Sequence, residues 1–79
     1  MRILHANKQD EFANRIIANY LIGKDALNKA FTGEELKGSD YFDALEHLTE
    51  NTVTLLAGVC GYERMLEYSK KYNLLLKNE

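Results

Sequence analysis

The sequence has no proline, no tryptophan, one cysteine and two histidines among its 79 residues. A single thiol, Cys60, cannot form a disulfide within the chain, which excludes a disulfide-stabilised scaffold. Cys60 with His5 and His47 also falls short of the four ligands that an ordinary structural zinc site needs. We therefore expect a fold without metal or cofactor, supported by helix packing or by a second subunit.

The sequence also lacks long hydrophobic runs. None approaches the roughly 18 apolar residues that a membrane span requires. The apolar stretch within residues 1–8 is shorter than the core of a secretory signal, so the chain is expected to be cytoplasmic and not membrane-bound. A composition of 46% hydrophobic and 28% charged residues predicts one folded domain over residues 1–79.

A large excess of positive or negative charge is missing as well. The net charge is −2, with +1 over residues 1–39 and −3 over residues 40–79. Nucleic-acid-binding domains usually carry a basic stripe, because neutralising phosphates supplies much of their affinity. DNA and RNA are therefore unfavoured ligands.

What the sequence does contain is an apolar ladder with alternating steps of four and three residues. Its members are Tyr41, Leu45, Leu48, Thr52, Leu55, Val59, Tyr62 and Leu66. This spacing lies along one side of an α-helix and predicts a continuous buried seam. So short a chain has little surface with which to cover that seam alone, which predicts a homodimer.

The same periodicity predicts an all-α bundle of four to five helices. The expected elements are helices at 8–22, 25–31, 40–57 and 61–72, with a short turn at 33–37. Gly23 is interpreted as a helix end, and Thr32 with Glu35 as a capping box. Asn7 and Ser39 are the expected N-caps of their helices.

Two features leave alternatives open. Either the chain bends at Gly58–Gly61 into two antiparallel helices, or residues 40–71 form one rod about 48 Å long. The bend is favoured, because each glycine weakens a helix interior. At the termini, the leucines at 74–76 are either a docked end or a strand that pairs with residues 3–4.

The predicted core combines the inward positions of all these helices. It comprises Phe12, Ile16, Leu21, Leu27, Phe31, Phe42, Leu45, Leu48, Leu55, Leu56, Val59, Met65 and Leu66.

Cys60 is the only thiol in the sequence and therefore the only candidate for a cysteine nucleophile. A helix that begins near Tyr62 would lower the pKa of this thiol, and His47 could act as its base. The favoured interpretation is a buried cysteine that fills a gap between helices, because no catalytic signature surrounds it.

Two groups of polar residues are candidate partner-binding sites. Asp43, Glu46, His47 and Glu50 share one helical side, which suits either a solvated acidic face or the docking of a basic partner. A metal site is disfavoured there, because no second helix offers a matching motif. The second group is Tyr62, Arg64, Tyr68 and Tyr72, which is more typical of a protein interface than of a nucleic-acid site.

No phosphate-binding glycine loop, zinc motif or nucleophile elbow occurs, which disfavours an enzyme. We expect a non-enzymatic protein–protein interaction module, a regulator or inhibitor that presents a helical surface to a partner. The small accessory proteins of mobile genetic elements fit this profile. The alternative is a helix-turn-helix DNA-binding regulator at residues 53–72, although Glu63 and Glu67 stand where donors to base edges are expected.

Overall fold

The computed structural model describes residues 6–74, with side chains described from residue 8 onward. Over this range the chain forms three α-helices and one short 3-10 helix, with no strand. The elements are α1 at Ala6–Ala30, the 3-10 helix at Gly33–Lys37, α2 at Ser39–Cys60 and α3 at Tyr62–Lys71. The all-α class is confirmed, whereas the expected four to five helices are not. The proposed strand pairing of residues 3–4 with the leucines at 74–76 lies outside the described residues except for Leu74, which is buried and is not in a strand.

The helix count differs because α1 runs without interruption through Gly23. The predicted separation into helices 8–22 and 25–31 is therefore wrong. A Cβ atom at Gly23 would lie 3.2 Å from Cδ1 and Cδ2 of Leu48 on α2. Gly23 thus allows two helices to approach closely and does not form a turn. The expected N-cap, Asn7, lies inside the helix, which begins at Ala6.

The other predicted boundaries are mostly within a few residues. The turn at 33–37 is present, and its capping box forms, with the Thr32 N–H donating to Oε1 of Glu35 at 3.0 Å. Ser39 is the first residue of α2, because Gly38 occupies the N-cap position. Helix α2 continues past the expected end at residue 57 to Cys60.

Gly61 alone separates α2 from α3, so the favoured break is present. Its backbone angles, φ 89° and ψ 165°, belong to a region that essentially only glycine occupies. Helix α3 then returns along α2, because Asn73, just beyond α3, lines the same groove as Glu46 and Thr49.

Helices α1 and α2 form an antiparallel hairpin. Near one end the Tyr41 hydroxyl donates to Oδ1 of Asn28 at 2.5 Å. At the other end the Cys60 thiol lies 3.7 Å from the Gln9 carbonyl oxygen.

Helix α3 ends in a left-handed turn that sends the chain back into the core. Asn73 has φ 59°, and the Leu74 N–H donates to the Ser69 carbonyl at 2.7 Å. This is the hydrogen-bonding pattern of a Schellman cap. Leu74 has no exposed surface, so the cap anchors the end of α3.

The core joins all three helices. Its buried apolar members are Ala13, Ile17, Tyr20, Leu56, Cys60, Met65 and Leu74. Of the predicted core residues, Leu56 and Met65 are buried, and Ile16, Leu48, Val59 and Leu66 pack against the cluster as partly buried side chains. Leu27, Phe31 and Leu45 are partly buried.

Four predicted core residues are exposed, and for these the prediction is wrong. They are Phe12, Leu21, Phe42 and Leu55, with exposed fractions of 37%, 50%, 56% and 55%. Within the described residues, the packing of α1, α2 and α3 against one another decides which apolar sides of the helices are covered, and these four side chains are left out.

The buried face of α2 shares only Tyr41 and Thr52 with the apolar ladder and is otherwise rotated from it. It consists of Tyr41, Thr49, Thr52, Leu56 and Cys60. The hydroxyls of Thr49 and Thr52 donate to the carbonyls of Leu45 and Leu48, each at 2.8 Å, so their burial leaves no polar atom unpaired. The ladder therefore lies on the border of the core, and the described residues cover the expected seam only in part.

Within the described residues, no helix combines the length and apolar character that crossing a bilayer requires.

Candidate interaction surfaces

Three side chains link the start of α1 to α3. The Arg64 guanidinium donates to the carboxylate of Asp10, and the Tyr68 hydroxyl donates to the same carboxylate oxygen at 3.1 Å. The guanidinium carbon of Arg64 also lies 5.6 Å from the centre of the Tyr68 ring. We call Asp10, Arg64 and Tyr68 the polar clamp, because it ties α3 to α1.

The electrostatics of the polar clamp favour its charged form. Hydrogen bonds from Arg64 and then from Tyr68 hold the pKa of Asp10 below its ordinary value. Burial, followed by the hydrogen bond to Asp10, raises the pKa of Tyr68. Arg64 is also within 3.5 Å of the Glu67 carboxylate. Its guanidinium is therefore neutralised by carboxylates and is poorly placed to bind a phosphate.

The predicted aromatic group is only partly brought together. Arg64, Tyr68 and Tyr72 are spaced by four residues and lie along one side of α3. The rings of Tyr68 and Tyr72 stack with centres 6.5 Å apart, and the Lys71 ammonium lies 5.4 Å from the Tyr72 ring. Tyr62 stands at the start of α3 with 68% of its surface exposed. The cations and rings of this group therefore contact one another within the chain.

The acidic stripe, defined as Asp43, Glu46, His47 and Glu50, is exposed on α2. Asp43 and Glu46 line a surface groove of about 380 Å³. The groove is also lined by Tyr20, Lys24, Phe42, Leu45, Thr49 and Asn73. No cluster of three or more His, Cys, Asp or Glu side chains that could hold a metal ion occurs within residues 6–74.

Cys60 is a buried core residue with 6% of its surface exposed. Burial is the main cause that raises the pKa of its thiol, so the nucleophilic thiolate is disfavoured. His47 stands thirteen residues earlier on the same helix, which places it about 20 Å away along the axis. The interpretation of Cys60 as a buried residue that fills space between helices is confirmed.

A further surface follows from the close contact of Gly23 with Leu48. The flank of α1 that carries Gly23 also carries Phe12 and Ile16, at helical spacing. The flank of α2 that carries Leu48 also carries Leu55 and Val59. Because Gly23 and Leu48 meet and the two helices are antiparallel, helical spacing places these two flanks beside each other.

Helix α3 lies on the other side of the hairpin. Arg64 meets α1 at Asp10, two residues before Phe12, and Asn73 lines a groove with Glu46, two residues before Leu48. Residues two apart point about 200° from each other around a helix. The surface opposite α3 is therefore left uncovered by the described part of the chain. We call it the open face, defined by Phe12, Ile16, Leu48, Leu55 and Val59.

The open face contains no charged member. Phe12 and Leu55 are 37% and 55% exposed, and Ile16, Leu48 and Val59 are partly buried. The Arg15 guanidinium lies 5.4 Å from the Phe12 ring and places a cation at the edge. An apolar centre with a charged rim is the usual composition of a protein interface.

Sequence reasoning missed two of these features. Asp10 was not among the predicted site residues, because its partner Arg64 is 54 residues away in sequence. Phe12 and Leu55 were assigned to the core, because periodicity shows that a side is apolar and not which element covers it. On α3, the four-residue spacing of Arg64, Tyr68 and Tyr72 was the one feature of the sequence that indicated a shared surface.

Comparisons with protein-family models, with curated proteins and with solved structures found no match to this chain.

Proposed function

We propose that this protein is a small non-enzymatic interaction module that associates as a homodimer through its open face. The observation that carries the proposal is the exposure of Phe12 and Leu55 on one apolar face of the hairpin. Contiguous exposed apolar surface is uncommon on monomeric proteins and marks sites of association.

A second copy is the occupant that fits this surface best. A two-fold dimer brings the same patch of each subunit together, and an uncharged apolar patch is complementary to itself. Burial of the open face also adds the support that a short chain needs.

The acidic stripe then provides the surface for a different protein. On α2, His47 and Glu50 point well away from Leu48 and Leu55, so pairing of the open faces leaves the stripe exposed. Carboxylates at this density favour a basic partner, whose approach they accelerate by long-range attraction. In this proposal the protein acts in the cytoplasm as a regulator or inhibitor and carries out no chemistry.

The DNA-binding alternative gains no support from the geometry. A helix-turn-helix joins its helices through a turn of three to four residues, whereas Gly61 alone joins α2 to α3. Arg64, the cation nearest the start of α3, is already paired with Asp10.

Sedimentation velocity of matched aspartate variants tests the proposal. Phe12→Asp and Leu55→Asp each place two charges in a symmetric interface and should convert a micromolar dimer to a monomer. Ile22→Asp is the control, because Ile22 is 67% exposed and lies on α1 outside the open face. A wild-type protein that is monomeric at every concentration would remove the dimer from the proposal.

A further inference from the structure

Gly61 interrupts the helix but keeps both of its own backbone hydrogen bonds. Its N–H donates to the Ala57 carbonyl at 3.0 Å, and its carbonyl accepts from the Met65 N–H at 3.0 Å. Both are helical i to i−4 bonds. The break therefore removes helical acceptors only from the amides of Tyr62, Glu63 and Arg64, and no side chain caps α3 there.

Rotation at this one residue would join the two helices. If Gly61 adopted helical angles, Ser39–Lys71 would become a single helix of about 50 Å and would regain three hydrogen bonds. The apolar ladder supports this geometry, because its spacing continues across the break from Val59 to Tyr62 and Leu66.

A straightened helix would leave the site of α3 on the hairpin empty. That site consists of the core around Ala13 and Ile17, to which Met65 belongs, and the carboxylate of Asp10. Its apolar and acidic groups match Met65, Arg64 and Tyr68 in position and charge. A second copy of α3 is the one helix certain to satisfy all of them.

We propose that two copies of this chain exchange α3, so that each α3 fills the site on the other copy's hairpin. The backbone conformation of Gly61 favours the closed monomer over this exchanged dimer. Exchange of an identical element preserves every contact of the closed form outside the hinge. A short hinge with an unusual backbone conformation favours such exchange. This interface differs from the open face and does not depend on it.

The first test is Gly61→Ala, made in the Leu55→Asp background so that the open face cannot contribute. A non-glycine residue at φ 89° strains the closed form in both copies. The association constant should rise at least about 30-fold, equivalent to about 1 kcal/mol per copy. Gly33→Ala is the matched control, since Gly33 also has positive φ, with no atom near its added Cβ and no role in the hinge. In the same Leu55→Asp background, Gly33→Ala should not dimerise.

The second test identifies what is exchanged and does not require Gly61→Ala to fold. Asp10→Cys and Arg64→Cys are made in separate chains that also carry Cys60→Ala and Leu55→Asp. The chains are refolded together at high concentration and treated with a short bismaleimide. Exchange predicts a covalent heterodimer linked between positions 10 and 64. Mixing the chains after folding is the control and should give far less product.

The results decide between exchange and its absence. A folded Gly61→Ala variant that stays as monomeric as Gly33→Ala would overturn the proposal. A Gly61→Ala dimer would also overturn it if adding the two cysteine substitutions gave no link between positions 10 and 64. If Gly61→Ala does not fold, a refolded mixture without the cross-chain link would overturn it. None of these outcomes changes the expectation for the open face.

Discussion

Leu55 and Leu56 are adjacent on α2, yet Leu56 has no exposed surface and Leu55 is 55% exposed. The apolar ladder contains Leu55, whereas the core contains Leu56. One step along the helix is a rotation of about 100°, which separates the buried face from the open face. Much of the functional proposal depends on this difference of one residue.

Truncation of the two leucines should therefore have different effects. Leu56→Ala should lower the free energy of unfolding by about 2–5 kcal/mol, because it leaves a cavity in a close-packed core. Leu55→Ala should lower it by less than about 1 kcal/mol when measured below the concentration at which dimers form. Urea denaturation followed by circular dichroism measures both. Equal losses would show that the assigned face of α2 is wrong.

Gly23 should accept one methyl group but no larger side chain. Alanine favours the helix by about 1 kcal/mol over glycine, but its Cβ would lie 3.2 Å from the flexible end of Leu48. We expect Gly23→Ala to change the free energy of unfolding by no more than about 1 kcal/mol in either direction. Gly23→Leu should destabilise by about 1–3 kcal/mol through overpacking.

Ala18→Leu provides the control for that pair. Ala18 is exposed on the same helix, so the larger side chain meets no neighbouring helix and should have little effect on thermal stability. If Gly23→Leu is as well tolerated as Ala18→Leu, then α1 and α2 do not approach closely at Gly23.

The polar clamp should make stability fall at acid pH. The pKa of Asp10 is lowered from its ordinary 3.8 in the folded state, so folding favours the charged carboxylate. Its contribution is complete above pH 3.8 and is lost as pH falls through the lower pKa of the folded protein. Urea midpoints measured from pH 7 downward should fall less for Asp10→Asn than for the wild type across this window.

Asp25→Asn separates the clamp from a general change of charge. Asp25 pairs with Lys29 inside α1 at 3.0 Å and does not connect α1 to α3. This variant should retain the acid slope of the wild-type protein. A wild-type slope in Asp10→Asn as well would mean that the link between Asp10 and Arg64 does not stabilise the fold.

Cys60 should react slowly while the protein is folded. Burial raises the pKa of its thiol, and only the thiolate reacts readily with alkylating reagents. The rate of labelling by iodoacetamide at pH 8 should rise steeply across the urea unfolding transition. Labelling at the same rate before and after unfolding would contradict the buried position of Cys60 in the α1–α2–α3 core.

Sequence predicted the all-α class because long stretches keep helical periodicity without proline. It also predicted the turn at 33–37, from the pairing of Thr32 with Glu35, and the break near Gly61. It failed at Gly23, because the same residue type ends helices and permits close helix contacts. Which role applies depends on Leu48, which is 25 residues away in sequence.

The candidate surfaces were predicted less completely than the fold. The cations and rings of α3 were found together because their spacing is local. Asp10 was not assigned to them, since no local pattern records a contact across 54 residues. The open face was hidden for a different reason: Phe12 and Leu55 have the spacing of core residues, and only the position of α3 shows that they remain exposed.

Isotope-filtered nuclear Overhauser spectroscopy on a mixture of ¹³C-labelled and unlabelled protein tests the central claim most directly. If the open faces of two copies meet, cross-chain signals should connect the Phe12 ring and the methyl groups of Leu48, Leu55 or Val59. The absence of any cross-chain signal at millimolar concentration would contradict this account. Signals confined to the acidic stripe or the outer side of α3 would contradict it equally.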